Sequence, residues 1–477
     1  MILLAIPLIP IAASLVAWLS HRLRVIRAAT TLGGLAALIL TVMVAHVVSR
    51  QTTLTVLPHW IGIDGLSSLV LVLQGFVAMT ATLYSWGYMK RVTAAHPRRE
   101  QQFYVNLNLF LASMFMVPIF LQPALTWVAV ELTTVLSVFL VSFENTPKAL
   151  EAAWKYAVIT IMGATVAVMG IFLLLWGLST LHVPIQTWTT LRNAAPGMPV
   201  VLLKLAFVFI FIGFGTKVGI VPMHTWLPDA HSQAPSPVCA LLSGIEVSTI
   251  LYVILRLWPV FEQIPGNFAQ NWALLFGLIS VGTAAFLMIQ VRDFKRLFAF
   301  STVEQMGILL VALGLGIPGH YAALYQLLTH AITKSLAFYS AGAVFLVTST
   351  LDIASVKGLV RISPVAGLSL LFSGLAIAGA PPFAVFLSEL SIFRASLTSR
   401  HILVLALLLA FLALAFVGIL RHLNRMVFGQ PTHPRITLPR SVALTLFVSW
   451  LPVLALGVYL PASIHHLLAL TMLALRR

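Results

Sequence analysis

The chain has 477 residues, of which 60 % are apolar and only 8 % are charged. Soluble proteins carry about 25 % charged residues, so the composition excludes a soluble protein of this size. The single cysteine, Cys239, excludes a disulfide scaffold and any cysteine-ligated zinc or iron–sulfur site. The composition is typical of a membrane protein.

Long apolar segments follow one another along the whole chain. A helix needs about 20 apolar residues to cross a bilayer, so these segments predict about fourteen transmembrane helices, which we number as spans 1 to 14. The first segment lacks a basic start and a small-residue cleavage site, so we interpret it as a helix and not as a cleaved signal. The spans cover residues 1–20, 28–48, 64–89, 103–122, 124–143, 154–180, 199–221, 236–258, 272–291, 297–317, 320–347, 364–393, 402–428 and 441–460. The tail 463–477 is too short to span, and the sequence does not place it.

Basic residues are unevenly distributed between the loops. The net charge is +16, and the odd-numbered loops hold 18 Lys and Arg residues against five in the even-numbered loops and their flanks. Membrane proteins collect Lys and Arg in cytoplasmic loops. We therefore expect the odd loops in the cytoplasm and the N-terminus outside. A positive charge spread along one membrane face also argues against nucleic-acid binding.

Eight ionisable residues within the apolar segments are not accounted for by the loops and their flanks. Placing an ionisable side chain at the membrane centre costs about 2.5–3.5 kcal/mol, and such residues usually mark an ion or proton pathway. The eight are Glu131, Lys204, Lys217, Glu246, Glu304, His330, Lys334 and Glu389.

Three of these residues have structural alternatives. Lys204 lies near the outer end of its span, where its long side chain can reach the membrane surface. Glu304 is about two turns inside its helix and can cap it or pair with a loop. Glu246 can be a buried carboxyl group bonded to Ser243 or Ser248. Lys204, Ser243 and Glu304 are therefore only possible members of a pathway.

The other residues are harder to explain structurally. Glu131, Lys217 and Lys334 are deep and have no obvious partner nearby in the sequence. His330 and Lys334 are four residues apart, which places them on one face of a helix. A buried ammonium group changes its protonation state readily. Histidine and carboxylate residues at metal-ligand spacing are absent from the sequence, so we expect no metal site.

Two spans are interrupted by proline. Pro222 follows Lys217 by five residues in span 7, and Pro381 and Pro382 precede Glu389 in span 12. Carbonyl groups freed by proline must face protein or water at membrane depth. Broken helices at matching positions suggest two inverted repeats of five helices, spans 4–8 and 9–13, around a pathway. The predicted divisions are 1–100 (spans 1–3), 101–260 (first repeat), 270–430 (second repeat) and 431–477 (span 14 and the tail).

Four motifs carry a resemblance to a known family. They are Lys217–Asp229 (KVGIVPMHTWLPD), Asp293–Gly307 (DFKRLFAFSTVEQMG), Thr329–Lys334 (THAITK) and Trp127–Glu131 (WVAVE). In this order they resemble the antiporter-like proton-channel subunits shared by respiratory complex I, Mrp-type cation/proton antiporters and membrane-bound hydrogenases. The likeness covers roughly residues 100–430. Within the family, the segments that begin at His231, Val303 and Gly379 look most like component F of hydrogenase-4, a formate-hydrogenlyase-type complex.

The resemblance implies roles for individual residues. Glu131 and Lys217 would form a switching ion pair. His330 and Lys334 would continue a central hydrophilic axis, and Glu389 would be its terminal donor or acceptor. Family members often carry a lysine or histidine in the eighth helix, where this chain has Ser243, Glu246 and Ser248. Two alternatives follow: either Glu246 takes that role or the relay is incomplete.

The predicted function is redox-coupled proton translocation in a bacterial or archaeal cytoplasmic membrane. The resemblance implies other antiporter-like membrane subunits and a peripheral redox arm as partners, with iron–sulfur clusters and nickel–iron or flavin in those partners and none in this chain. A sodium/proton antiporter subunit and the membrane partner of an inorganic-carbon uptake system remain alternatives. A haem-b carrier would need paired mid-membrane histidines, and His330 is alone. The sequence has no nucleotide-binding loop and no nucleophile–base set, so we do not expect catalysis by this chain alone.

Overall fold

A computed structural model describes residues 2–475 of the chain. Thirteen helical segments in this range are long and apolar enough to cross a membrane. The predicted span 364–393 is not among them because it is divided into two shorter helices. Together these make fourteen crossings, as the sequence predicts. Residues 476–477, the end of the predicted tail, and residue 1, the start of the first division, lie outside the described residues.

Residues 2–261 form eleven α-helices. They are α1 (Ile2–Leu19), α2 (Leu23–Gln51), α3 (Gly65–Val92), α4 (Pro97–Met116), α5 (Pro123–Val141), α6 (Pro147–Thr180), α7 (Trp188–Ala194), α8 (Val200–Val218), α9 (Trp226–Gln233), α10 (Ser236–Leu241) and α11 (Val247–Phe261). Helices α8 and α9 form span 7. A π-helical turn, Leu242–Glu246, joins α10 to α11 within span 8.

The second half contains nine α-helices, of which α16 and α17 form span 12. They are α12 (Phe268–Gln290), α13 (Phe294–Gly314), α14 (Ile317–Thr348), α15 (Leu359–Ile362), α16 (Pro364–Ile377), α17 (Ala384–Thr398), α18 (Ile402–Val427), α19 (Arg440–Val458) and α20 (Ala462–Leu475). The tail that the sequence does not place is therefore helical over α20. It packs against α3 so closely that a Cβ added at Gly65 would lie 2.7 Å from the carbonyl carbon of Leu470.

The even-numbered loops meet at one end of the molecule, which we call the even-loop face. Loop 2 folds into an antiparallel hairpin of strands β1 (Thr53–Leu57) and β2 (Ile61–Asp64), which the all-α prediction missed. Its Ile61 forms an isolated bridge with Phe120 in loop 4, and the indole of Trp188 in loop 6 donates to the Phe120 carbonyl at 3.0 Å.

The odd-numbered loops meet at the opposite end, the odd-loop face. Arg99 after span 3 donates to the Phe143 carbonyl after span 5 at 2.6 Å. Asp229 on α9, near the end of span 7, forms an ion pair of 3.0 Å with Arg296 in the first turn of α13, at the start of span 10. This grouping of loops by parity is the result expected when each span crosses the membrane once.

The two breaks in spans 7 and 12 have the same local pattern. Gly219 has a φ of 85° and Gly379 a φ of 69°, which glycine adopts without the steric cost of a side chain. Three residues after each glycine comes a proline that is preceded by a cis peptide bond: Pro222 after Gly219 and Pro382 after Gly379. The prediction of broken helices in spans 7 and 12 is confirmed. The inverted relation of the two repeats and the four divisions of the chain remain predictions.

Helices α6 and α8 cross at two glycines. A Cβ added at Gly213 would lie 2.6 Å from the carbonyl oxygen of Gly163, and one added at Gly163 would lie 2.8 Å from the carbonyl oxygen of Gly213. Only residues without a side chain permit this approach. The crossing fixes the C-terminal turn of α8, which carries Lys217, beside α6, which carries Tyr156.

Candidate functional site

Lys217 is the centre of a buried polar network in the first half of the chain. It lies in the last turn of α8, and its side chain is 1 % exposed. The Nζ atom donates to the carbonyl of Val130 at 3.0 Å, to Thr133 Oγ1 at 3.2 Å and to Thr134 Oγ1. An oxygen of Glu246 lies 3.5 Å from the same nitrogen. Lys217 and Glu246 therefore form a buried ion pair.

Glu246 ends the π-helical turn of span 8 and is 3 % exposed. Its Oε1 atom accepts hydrogen bonds from the Tyr156 hydroxyl at 3.0 Å and from Thr133 Oγ1 at 3.3 Å. The Tyr156 hydroxyl also bonds Ser137 Oγ at 2.7 Å. Single π turns inside α-helices occur frequently at functional sites, and this one places Glu246 opposite Lys217.

The serines that flank Glu246 do not bind its carboxylate. The Ser243 hydroxyl bonds Thr302 Oγ1 at 2.7 Å, and Ser248 donates to the carbonyl of Gly244 at 2.9 Å. The alternative in which neighbouring serines satisfy Glu246 is therefore wrong. The hydrogen-bond and ion-pair partners of Glu246 lie on α5, α6 and α8 instead.

Glu131 does not form the ion pair expected from the sequence. It is half-buried on α5, and its Oε1 atom has no hydrogen-bond partner within residues 2–475. Val130, Thr133 and Thr134 share the α5 face that contacts Lys217, whereas residue 131 lies one step further around the helix. The charge of Glu131 interacts with Lys217 and Glu246 without direct contact. The direct partner of Lys217 is Glu246.

A second network surrounds Lys334 in the middle of α14. The fully buried Nζ atom donates to the carbonyl of Phe298 at 3.1 Å and to Ser301 Oγ at 2.5 Å, both on α13. His330 lies one turn away, and its Nε2 atom is 3.0 Å from the carbonyl oxygen of Ser243. The structure thus places His330 and Lys334 side by side, as their spacing predicts, and Ser243 contacts the axis through its backbone.

Two buried carboxyl groups continue beyond Lys334. Glu304 is 2 % exposed on α13, where its charge interacts with Lys334. Glu389 is 6 % exposed on α17, and its carboxylate packs against Gly379 at the break in span 12. The charges of Glu304 and Glu389 interact with each other.

Two glutamines that the sequence analysis missed link the helices that carry these groups. Gln326 precedes His330 by one turn on α14, and its amide donates to Gln305 Oε1. Gln305 in turn donates to the carbonyl of Ile377, at the end of α16, at 3.2 Å, and Ser388 donates to Gln326 Oε1 at 2.6 Å. The spacing of four residues between Gln326 and His330 is a signal in the sequence, but an uncharged side chain does not stand out in an apolar helix as an ionisable one does.

Lys204 lies apart from both networks. Its side chain is exposed near the beginning of α8, and its ammonium group lies 5.3 Å from the centre of the Phe268 ring. This position agrees with the structural alternative, in which the side chain extends along the membrane-facing surface.

A charged cavity of about 410 Å³ opens at the odd-loop face. Asp229 bridges two of its basic residues, Lys155 at 3.3 Å and Arg296 at 3.0 Å. Lys155 directly precedes Tyr156, which binds Glu246, on α6. Among residues 2–475, no group of three or more His, Cys, Asp or Glu side chains is arranged to hold a metal ion.

Comparison with known proteins identifies the class to which this architecture belongs. Residues 123–415 match the family described as NADH:quinone oxidoreductase/Mrp antiporter, transmembrane. The matched region includes both networks and both broken helices. The chain belongs to this family and is an antiporter-like subunit of the complex I, Mrp and hydrogenase type.

Two curated relatives are similar to this chain over most of its length. The chain is 34 % identical over 411 residues to a hydrogenase-4 component F homolog of Methylacidiphilum infernorum (isolate V4), a match that covers 84 % of this chain and 86 % of the relative. It is 31 % identical over 391 residues to the Na⁺/H⁺ antiporter subunit A1 of Staphylococcus aureus (strain JH9). That second match covers 76 % of this chain but only 46 % of the larger antiporter subunit.

Two solved structures share the fold over nearly the whole chain. One is a chain of the membrane-bound sulfane sulfur reductase, an archaeal respiratory membrane complex, with a TM-score of 0.89, 22 % identity and coverage of 99 % of this chain and 96 % of that one. The other belongs to the Mrp complex from Dietzia sp. DQ12-45-1b, with a TM-score of 0.88, 18 % identity and coverage of 98 % and 96 %. At these identities the likeness concerns the fold alone.

Proposed function

We propose that this chain conducts protons across the membrane as the antiporter-like subunit of a redox-driven complex of the hydrogenase-4 or complex I type. The observation that carries the proposal is a series of buried polar atoms without a hydrogen-bond partner within residues 2–475. Leaving such an atom unsatisfied costs about 1–3 kcal/mol, and buried water normally removes that cost. The atoms along the axis are Glu131 Oε1, Glu246 Oε2, His330 Nδ1, Thr333 Oγ1, Glu304 Oε2 and Glu389 Oε1.

Proton transfer along this axis would alternate between side chains and water. Carboxylates, lysines and histidine accept and release protons, while water bridges the gaps between them. The axis passes from the first repeat through the centre to the broken helix of the second repeat. Its proposed members, in that order, are Glu131, Lys217, Glu246, His330, Lys334, Glu304 and Glu389.

The Lys217–Glu246 pair is the proposed switch. At 3.5 Å the carboxylate stabilises the protonated lysine, and separating the two would leave a buried ammonium group without its counter-charge. Breaking a buried ion pair costs about 3–5 kcal/mol, whereas moving one charge against 100 mV costs about 2.3 kcal/mol. If the redox reaction supplies the free energy that opens the pair, the destabilisation of the unpaired ammonium group is large enough to drive one proton towards Lys334.

Glu389 is the proposed terminal group of the axis. It lies against the break in span 12, where the carbonyl of Ile377 is bonded by Gln305 instead of by an intrahelical amide. The chain of Gln305, Gln326 and Ser388 would orient the water between Lys334 and this carboxylate. Lys204 has no part in this route.

The distribution of basic residues supports one orientation. The odd-loop face carries most of the Lys and Arg residues and would face the cytoplasm, and the N-terminus would lie outside. The membrane would be the cytoplasmic membrane of a bacterium or archaeon. The cavity beside Asp229 would then supply protons from the cytoplasm to the first network.

The partners proposed for this chain are other antiporter-like membrane subunits and a peripheral redox arm. The relatives that support this are a hydrogenase-4 component and chains of multisubunit membrane complexes. Redox chemistry would reside in the arm, on iron–sulfur clusters with nickel–iron or flavin. This chain would contribute ion translocation and no redox cofactor.

A sodium/proton antiporter subunit is the second candidate, because the chain is 31 % identical to an Na⁺/H⁺ antiporter subunit. The complex should be purified through a tag on this chain, its co-purifying subunits identified, and the whole reconstituted into proteoliposomes. We expect redox subunits in the preparation and proton movement at an undiminished rate in sodium-free buffer. Proton movement that requires sodium, from a preparation without redox subunits, would favour the antiporter.

A further inference from the structure

His231 is a buried histidine that the proposed axis does not yet include. It lies on α9 with an exposed fraction of 0 %, and neither ring nitrogen has a hydrogen-bond partner within residues 2–475. A neutral imidazole has one donor and one acceptor nitrogen, so both functions need a partner. Burying a polar atom without a hydrogen bond costs free energy, and an apolar side chain at this position would not have that cost.

The ring lies close to the second network. The edge of the imidazole packs against Phe338, with 5.8 Å between ring centres, and Phe338 lies one turn beyond Lys334 on α14. The charge of His231 interacts with both Lys334 and His330. Because α14 runs from the even-loop face to the odd-loop face, His231 approaches Lys334 from the odd-loop side.

The same ring also adjoins the first network. It also packs against Trp226 at 5.9 Å between ring centres. Trp226 packs against Tyr156 at 4.8 Å, and Tyr156 donates its hydroxyl hydrogen to Glu246. His231 therefore occupies the space between the Lys217–Glu246 pair and Lys334, where no other ionisable side chain of α9 is buried.

We propose that His231 is a proton relay between the first network and Lys334. One ring nitrogen accepts a proton from water on the side of Glu246, and the other nitrogen releases its proton to water on the side of Lys334. The imidazole ends neutral with its proton on the opposite nitrogen, and rotation of the ring restores the starting arrangement for the next proton. This inference rests on the proposed function, since a relay has a role only if protons cross the chain.

The competing explanation is that His231 only fills the space between two aromatic rings. Phenylalanine separates the two roles, because it keeps the edge contacts with Trp226 and Phe338 but carries no proton. The test uses the intact complex in proteoliposomes, with assembly checked by co-purification. His231→Phe and His231→Gln are compared with His422→Gln, a histidine on α18 that is bonded to the Met288 carbonyl at 3.0 Å and is remote from the axis.

We expect proton translocation to fall at least tenfold in both His231 variants while the complex assembles, and to be unchanged in His422→Gln. A wild-type rate in His231→Phe overturns the relay and leaves a packing role. If only His231→Gln assembles, a tenfold lower translocation rate in that variant supports the relay and a wild-type rate overturns it. If neither assembles, His231 is required for folding and the proposal fails. Absence of translocation in the wild type would instead refute the proposed function itself.

Discussion

Replacing Lys217 by methionine is expected to abolish proton translocation while leaving the subunit folded within its complex. Methionine fills a volume similar to that of the lysine side chain but carries no proton. The Glu246 carboxylate retains its hydrogen bonds from Tyr156 and Thr133, so the site keeps part of its polar partners. The measurement is the rate of proton movement in proteoliposomes, normalised to the amount of complex recovered by co-purification.

The matched control for this variant is Lys204→Met. Lys204 lies on the same helix but is exposed and remote from the network, so its replacement should leave the rate within a factor of two of the wild type. Equal rates in Lys217→Met and in the wild type would remove the ion pair from the pathway. A loss of proton translocation in both variants would show that α8 does not tolerate these substitutions. The effect of Lys217→Met could then not be attributed to the ion pair.

Replacing Glu246 by glutamine is expected to have the second largest effect, a loss of translocation of at least tenfold. Glutamine still accepts the Tyr156 hydrogen bond but leaves Lys217 without a counter-charge. Hydrogen bonds to charged groups contribute about 1.5–3 kcal/mol, so a measurable loss of thermal stability should accompany the loss of transport.

A double-mutant cycle decides which acid is the direct partner of Lys217. Residues in contact show coupling energies of about 0.5–3 kcal/mol. We expect coupling in this range between Lys217→Met and Glu246→Gln, and a clearly smaller value between Lys217→Met and Glu131→Gln, measured from unfolding free energies. A stronger coupling to Glu131 would contradict the pairing described above.

Much of the fold can be predicted because it depends on local properties of the sequence. A transmembrane helix is long and apolar, so length and hydropathy place thirteen of the spans. Proline removes a backbone hydrogen bond wherever it occurs, so Pro222, Pro381 and Pro382 marked both broken helices. The spacing of His330 and Lys334 also determined their common face, because helical periodicity is a local property.

Contacts between helices could not be predicted in the same way. The sequence offered Glu131 and Glu246 as acids in the first repeat, but the choice between them depends on the rotation of α5 and on a π turn that has no sequence signal. The Gln305–Gln326 pair joins two helices through uncharged side chains, which hydropathy does not distinguish from other polar residues. His231 was visible only as part of a motif, since its burial depends on how α9 folds back after Pro222.

The most direct test of the account is the proton flux through the intact complex that carries Lys334→Met. The co-purifying subunits show which redox substrate drives the complex, and that substrate is supplied in the assay. Lys334 is held by Phe298 and Ser301 and lies at the centre of the proposed axis, so every proton that follows the proposed route would pass it. We predict that the wild type acidifies or alkalinises the vesicle lumen in sodium-free buffer and that assembled Lys334→Met does not. An equal flux from both would show that protons cross by another route and would contradict the account.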